Sequence, residues 1–129
     1  MGKRVLLVDD CAASAEPIGE ALAGAGYEVV SASNGADCIR AADAARPDLI
    51  VLEAQMPVLD GVATLRLLRE HAEMRRVPVI LLSDREGPVD RAREWASGAD
   101  MYLTRPVSPR AVLAAANWLV HEKGLWPAA

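Results

Sequence analysis

The chain has 129 residues, which suits one domain with a single well-packed core and is too short for two domains joined by a linker. Its 52% hydrophobic and 25% charged residues are the balance of a globular protein, and its net charge of −4 disfavours direct binding to nucleic acid. The longest apolar runs are shorter than the ~18 residues that a membrane span needs, and no signal peptide is recognisable, so we expect a cytoplasmic protein that does not enter a membrane.

Five short apolar runs predict five β-strands. They cover residues 5–8, 27–32, 49–52, 77–82 and 101–103. Four of the runs are almost continuously apolar, which is typical of strands buried on both faces of a parallel sheet. The second run is the most interrupted by polar residues and therefore predicts an edge strand.

Amphipathic stretches between and after these runs predict five helices. Asn34-Gly35, Asp60-Gly61 and Ser108-Pro109 are start signals for the second, third and fifth. Apolar positions three or four residues apart predict the buried sides: Ile18, Ala21, Leu22 and Ala25 in the first helix, Ile39 and Ala42 in the second, Leu65, Leu68 and Ala72 in the third, and Val112, Ala116 and Leu119 in the fifth. The fourth helix, at about 88–96, is predicted to bury Val89, Ala92 and Ala96 and to expose Arg91, Arg93 and Glu94.

The alternation of strands and helices predicts an α/β fold, a single doubly wound (βα)5 unit with a five-stranded parallel sheet and helices on both faces. We assign residues 1–122 to this domain and residues 123–129 to a C-terminal tail.

Charged and polar side chains follow the predicted strands. The acids are Asp9, Asp10, Glu53 and Asp84, with Ser83 and Arg105 beside them. Because ligand sites of open α/β sheets form at the carboxyl ends of the strands, we expect these groups to converge on one rim. Clustered carboxylates repel one another unless a cation lies among them, and Mg²⁺ prefers oxygen ligands. Solvated acids that cap the following helices would explain one Asp, but the convergence favours a functional site.

Four segments resemble the receiver domains of two-component response regulators, the CheY-like family. They are VLLVDD at 5–10, PDLIVLEAQMPVLDG at 47–61, VILLS at 79–83 and GADMYLTRPV at 98–107. The resemblance covers about residues 3–121. It implies a flavodoxin-like fold with the strand order 2-1-3-4-5 and a role in phosphorelay signalling.

The resemblance also implies roles for particular residues. In that family an acid pair, the phosphoacceptor and the backbone carbonyl two residues after it hold Mg²⁺, which corresponds here to Asp9, Asp10, Glu53 and Gln55. Glu53 lies at the phosphoacceptor position. Ser83 and Arg105 lie where a hydroxyl and a lysine bind the phosphoryl group, and Tyr102 lies where an aromatic side chain changes rotamer on activation.

Three positions depart from the family pattern: Glu53 replaces Asp, Arg105 replaces Lys, and Asp84 replaces a small residue. Glu is longer than Asp by one carbon–carbon bond, roughly 1.5 Å, and a misplacement of about 1 Å can cost on the order of 100-fold in rate. A guanidinium, unlike an ammonium, prefers to bind a carboxylate with two N–H groups. We therefore predict that Glu53 reaches towards Ser83 or Arg105 and that Mg²⁺ binding is weakened. A Glu53–Arg105 pair is predicted to set the state of Tyr102.

The sequence thus predicts an atypical receiver that acts by protein contact, without ordinary phosphorylation, and is no enzyme beyond the self-phosphorylation chemistry of receivers. A receiver that retains weak Mg²⁺-dependent phosphoryl acceptance at Glu53 or a nearby acid is the alternative. A flavin protein of the same architecture is disfavoured, because the loop DDCAAS at 9–14 is not a phosphate cradle. We predict no organic cofactor.

The partners implied by the resemblance are a histidine kinase or an output protein, or a second copy of the chain. They would bind the face made by the fourth helix, the fifth strand and the fifth helix. Trp118 lies off the inner side of the fifth helix and is either an interface anchor or a partly buried side chain. Trp95 is interpreted as a packing residue.

Overall fold

Five β-strands and five α-helices alternate in the computed structural model, which describes residues 2–84 and 88–122. The strands are β1 (Arg4–Val8), β2 (Glu28–Ala32), β3 (Leu49–Glu53), β4 (Val79–Ser83) and β5 (Met101–Thr104). The helices are α1 (Ala12–Gly24), α2 (Gly35–Ala45), α3 (Gly61–Glu70), α4 (Pro88–Ala96) and α5 (Pro109–Asn117). A 3₁₀ turn, Ala72–Met74, follows α3, and a π-helical turn, Trp118–Glu122, follows α5. The predicted tail at 123–129 and the side chain of Val89 lie outside the described residues.

The strands form one parallel sheet in the order β2-β1-β3-β4-β5, which confirms the predicted fold. Val8 lies opposite Leu52, Leu52 opposite Leu81, and Leu82 opposite Leu103. The carboxyl ends of β1, β3, β4 and β5 therefore meet at one rim of the sheet. No helix in the described part of the chain is long and apolar enough to cross a membrane.

The side chains of the central strands alternate between two apolar cores, one on each face of the sheet. Leu6, Leu52 and Leu81 belong to the core that α2 and α3 cover, through residues such as Cys38 and Leu65. Strand residues one position away belong to the core covered by α1 and α5; they include Leu7, Val51 and Leu82, with Ile18, Leu22, Val112, Ala116 and Leu119 from the helices. This two-sided burial explains why β1, β3 and β4 read as continuous apolar runs.

The two outer strands are less buried than the three central ones. β2 is at one edge of the sheet, as predicted, and its residues are partly buried or exposed. β5 is at the other edge, and Met101, Tyr102 and Leu103 are only partly buried. The expectation that this fifth run is fully buried was wrong, because only β4 lies beside it.

Three helices begin at the predicted cap residues. The side chains of Asn34, Asp60 and Ser108 accept hydrogen bonds from the backbone N–H of the third residue of α2, α3 and α5, respectively. The predicted buried sides of α1 and α3 extend one residue too far in α1 and one apolar position too far in α3. Ala25 and Ala72 are exposed, because α1 ends at Gly24 and α3 ends at Glu70, where extended backbone at His71 turns the chain.

Two backbone positions between the end of β3 and the first residue of α3 are unusual. At Gly61, a Cβ atom would lie 2.2 Å from the carbonyl oxygen of Glu53, so that only glycine fits against the end of β3. The Gly61 N–H also donates to the carbonyl of Ala54 at 2.9 Å. Val58 is fully exposed and has a φ of 68°, a left-handed conformation that is unfavourable for a β-branched residue.

Candidate functional site at the carboxyl rim of the sheet

Three charged side chains meet at the rim because they share one face of the sheet. Asp9, Glu53 and Arg105 each lie two residues after a strand residue of the α1–α5 core, namely Leu7, Val51 and Leu103. The two-residue period of a strand sends all three side chains in the same direction. The aligned ends of β1, β3 and β5 then place them together.

Arg105 bridges the two buried carboxylates. Its Nε and Nη2 donate to Glu53 Oε1 at 2.9 and 2.6 Å, and Nη2 also donates to Asp9 Oδ2 at 3.3 Å. Both acids are buried, whereas the guanidinium is partly exposed. The predicted contact between Glu53 and Arg105 is therefore present, and one guanidinium group serves two acids.

Backbone N–H groups hold the remaining oxygens of these acids. Glu53 Oε2 accepts from the Gln55 N–H at 3.0 Å, and Asp9 Oδ1 accepts from the Cys11 N–H at 2.9 Å. Burial raises the pKa of Glu53 above its ordinary value, while the Gln55 N–H and the Arg105 guanidinium act in the opposite direction. Glu53 is thus a desolvated carboxylate with both oxygens in hydrogen bonds.

The predicted metal ligands are only partly assembled for a metal ion. Arg105 lies between Asp9 and Glu53 and supplies the positive charge there, while Asp10 is exposed. Within residues 2–84 and 88–122 there is no group of three or more His, Cys, Asp or Glu side chains that could hold a metal ion. The present arrangement therefore does not fit a divalent ion shared by Asp9 and Glu53.

Ser83 points away from this cluster. It lies two residues after Leu81 and so faces the opposite side of the sheet, where α4 lies beside it. Its Oγ donates to Glu94 Oε2 at 2.6 Å and accepts from Gln55 Nε2 at 3.3 Å. The Asp84 side chain is exposed, and the Asp84 N–H donates to Gln55 Oε1 at 3.1 Å. Gln55 thereby connects the two sides of the rim.

The orientation of α4 corrects the sequence prediction. Glu94, predicted to face solvent, is only 8% exposed, whereas Ala92 and Ala96, predicted to be buried, are exposed. The reason is the hydrogen bond to Ser83, which turns the polar side of α4 towards the sheet. Ser97, three residues after Glu94, is also buried. The three-residue spacing of Glu94 and Ser97 could have indicated a buried polar side, but the prediction was based only on the apolar residues of α4.

Tyr102 and the two described tryptophans lie away from the acids. The Tyr102 hydroxyl donates to the Trp95 carbonyl at 3.1 Å, and the two rings are 4.4 Å apart. Trp95 packs on the Tyr102 ring, but it does so from outside the core, because its side chain is 68% exposed. Trp118 is 46% exposed, which leaves both of its interpretations open.

Comparison with known proteins identifies the family of this chain. The family model described as the response regulator receiver domain matches residues 5–117. The chain belongs to this family. It is similar to the transcriptional regulatory protein PrrA of Mycobacterium tuberculosis, with 40% identity over 121 residues. These residues are 94% of this chain and 51% of PrrA, so the receiver spans about half the length of that relative.

Solved receiver domains have the same fold. The signal receiver domain of a histidine kinase from Syntrophus aciditrophicus is 31% identical, with a TM-score of 0.88 and coverage of 94% of this chain and 92% of that one. The receiver domain of the sensor histidine kinase PA1611 from Pseudomonas aeruginosa PAO1 is 29% identical, with a TM-score of 0.85 and coverage of 93% and 98%. The latter structure has a magnesium ion coordinated in its active-site cleft.

Proposed function

We propose that this receiver signals by protein contact and that an internal ion pair, rather than phosphorylation, sets the state of its site. The observation that carries the proposal is that Arg105 donates two hydrogen bonds, from Nε and Nη2, to Glu53 Oε1. A phosphoacceptor must present an oxygen in line with the donor phosphorus, and such positioning is most of the catalysis in phosphoryl transfer. Here Oε1 accepts from Arg105, and Oε2 accepts from Gln55.

The local charge also supports this proposal. Glu53 is buried beside Asp9, and Arg105 is committed to both carboxylates. In the family the corresponding lysine binds the phosphoryl group, so an arriving phosphoryl group would have to draw Arg105 away from the acids. That step would leave two buried carboxylates without their shared cation, which is costly.

We propose that Mg²⁺ binding is weakened for the same reason. A metal ion shared by Asp9 and Glu53 would have to displace the guanidinium, although Asp10 remains exposed beside them. An Arg105→Lys variant keeps one positive charge but loses the fork that spans both acids. Millimolar Mg²⁺ should therefore raise the melting temperature of Arg105→Lys more than that of the wild type. An equal increase in both proteins would contradict the proposed competition.

Intact-mass analysis after incubation with acetyl phosphate and Mg²⁺ tests the proposed function. We expect no phosphoryl adduct on the wild type, and an adduct on the double variant Glu53→Asp with Arg105→Lys, which restores the family residues at two of the three departing positions. Glu53→Asp alone should gain less, because Arg105 and Asp84 still differ from the pattern. A prompt, near-stoichiometric adduct on the wild type that hydroxylamine removes would refute the proposal and establish the alternative, a receiver with residual phosphoryl acceptance.

The proposed partners are those of the family. Receiver domains act with histidine kinases and output domains, and we propose that α4, β5 and α5 form the contact face here. The exposed Trp95 and Trp118 side chains supply apolar anchors on α4 and directly after α5. A homodimer through this face, the lack of direct nucleic-acid binding and the cytoplasmic location stay predictions.

The flavin alternative gains no support from a groove that lies near the rim. This groove, of about 830 Å³, lies between α1 and α2 and is lined by Asp10, Glu16 and Asp37, with Arg40 paired to Asp37. Its acidic rim would repel the phosphate of a flavin nucleotide.

A further inference from the structure

A buried hydrogen bond to a carboxylate joins α4 to the end of β4. The hydrogen bond from Ser83 Oγ to Glu94 Oε2 is 2.6 Å long, and both residues are buried. A hydrogen bond to a carboxylate inside a protein is stronger than one between neutral groups. Buried carboxylates are rare unless they have such a partner. This bond is therefore well placed to decide where α4 lies.

A chain of hydrogen bonds connects this contact to the acid cluster. Gln55 Nε2 donates to Ser83, and the Gln55 N–H donates to Glu53, which accepts from Arg105. A carboxylate of α4 thus binds the hydroxyl that the family uses for the phosphoryl group. A phosphoryl group that accepted a hydrogen bond from the Ser83 hydroxyl would have to compete with Glu94.

Two further contacts show what depends on the position of α4. Arg93 donates to Asp60, the N-cap of α3, at 2.9 Å, and Tyr102 donates to the Trp95 carbonyl. Glu94 lies between Arg93 and Trp95 in sequence. Its bond to Ser83 therefore sits at the centre of the segment that presents the exposed Trp95–Tyr102 pair.

We propose that Glu94 is a positioning residue that holds α4 on the sheet through Ser83. Its carboxylate takes the hydrogen bond that the Ser83 hydroxyl would otherwise donate to a phosphoryl group. The position of α4, and with it the Trp95–Tyr102 surface, is then set without a phosphoryl group. This inference goes beyond the proposed function and does not depend on whether Glu53 accepts phosphate.

Hydrogen exchange of the α4 backbone amides in residues 91–96, measured by NMR, tests this role. Glu94→Ala should speed exchange of these amides by about tenfold or more, since a buried charged hydrogen bond is lost. Glu94→Gln should lose less, because its amide oxygen still accepts from Ser83. Ser83→Ala should resemble Glu94→Ala, while Ser83→Thr, which keeps the hydroxyl, should stay near the wild type. Glu20→Ala, at an exposed glutamate of α1, is the matched control and should change exchange by less than twofold.

The double variant gives the decisive result. If Ser83 and Glu94 act through one bond, Ser83→Ala with Glu94→Ala should exchange no more than about twice as fast as either single variant. Effects that multiply, or an α4 exchange rate within twofold of the wild type in Glu94→Ala, would overturn the inference. Acetyl phosphate labelling reads a different property, so failure of either proposal is recognised separately.

Discussion

Removal of the Arg105 guanidinium should destabilise the fold substantially. The Arg105 side chain is 23% exposed, and the carboxylates that it bridges, Glu53 and Asp9, are 8% and 3% exposed. Removing one partner of a buried ion pair costs roughly 3–5 kcal/mol, because the remaining charge is left buried and unpaired. Since water reaches part of this guanidinium, we expect Arg105→Gln to lower the free energy of unfolding by about 2–4 kcal/mol.

The same reasoning predicts a reversal of sign at Glu53. In the wild type, Glu53→Gln should change stability little, because it removes both a favourable pair and the cost of a buried charge. In the Arg105→Gln background, Glu53→Gln should instead stabilise the protein, since it removes one of two carboxylates that repel each other without a cation. The coupling between the two positions should be about 1–2 kcal/mol.

Urea unfolding at pH 7, followed by circular dichroism, measures all four proteins of this double-mutant cycle. Arg110→Gln is the matched control, because Arg110 is an exposed arginine on α5 and its loss should cost no more than about 0.5 kcal/mol. The reasoning is refuted if Arg105→Gln unfolds like Arg110→Gln, or if Glu53→Gln has the same effect with and without Arg105.

Three other properties follow from the structure. Because burial raises the pKa of Glu53, the folded state binds the Glu53 proton more tightly than the unfolded state does. We therefore expect the wild type to lose stability relative to Glu53→Gln as the pH rises from the ordinary glutamate pKa to the raised one. If urea unfolding shows instead that this relative stability rises as the pH increases above the ordinary glutamate pKa, the Arg105 contact affects the pKa of Glu53 more than burial does. Val58→Asn should raise the free energy of unfolding by about 1 kcal/mol, because Asn tolerates the left-handed conformation that strains Val; a lower melting temperature would contradict this. Burial raises the pKa of Cys38 to about 12, so iodoacetamide at pH 8 should label only the exposed Cys11, and mass spectrometry of the folded protein should show one adduct; rapid double labelling would show that Cys38 is accessible.

Most of the fold was predictable because the sheet is buried on both faces. Apolar runs bounded by helix start signals gave the five strands and the order of elements. The strand order implied by the resemblance places β5 at an edge, but its partial burial was not predicted from its own residues, because an apolar strand looks the same in sequence whether it has one neighbouring strand or two. The exposure of Ala25 and Ala72 was missed because alanine fits a buried and an exposed position equally well.

The positions of the site residues on the strands were predictable, whereas the side of α4 that faces the sheet was not. The two-residue period sends Glu53 and Arg105 to one face and Ser83 to the other, so that of the two predicted contacts of Glu53 only that with Arg105 is found in the structure. No such rule fixes the rotation of α4. The residues predicted to form its buried side, Val89, Ala92 and Ala96, are small. The buried hydrogen bond from Ser83 to Glu94 holds a different side of α4 against the sheet. The roles of Tyr102 and of the metal ligands stay predictions.

The close approach of Gly61 to the end of β3 limits how this site can change by mutation. Any side chain at position 61 would collide with the backbone of Glu53 and Ala54 and move the peptide that carries the acid. Random substitution of this codon should therefore yield almost exclusively glycine among well-folded clones. The backbone beneath Glu53 is fixed by a residue that has no acceptable replacement, whereas the side chains above it are not limited by such a collision with the main chain. We therefore expect new site chemistry on this scaffold to arise at positions such as 53, 84 and 105, where the main chain already accommodates a side chain.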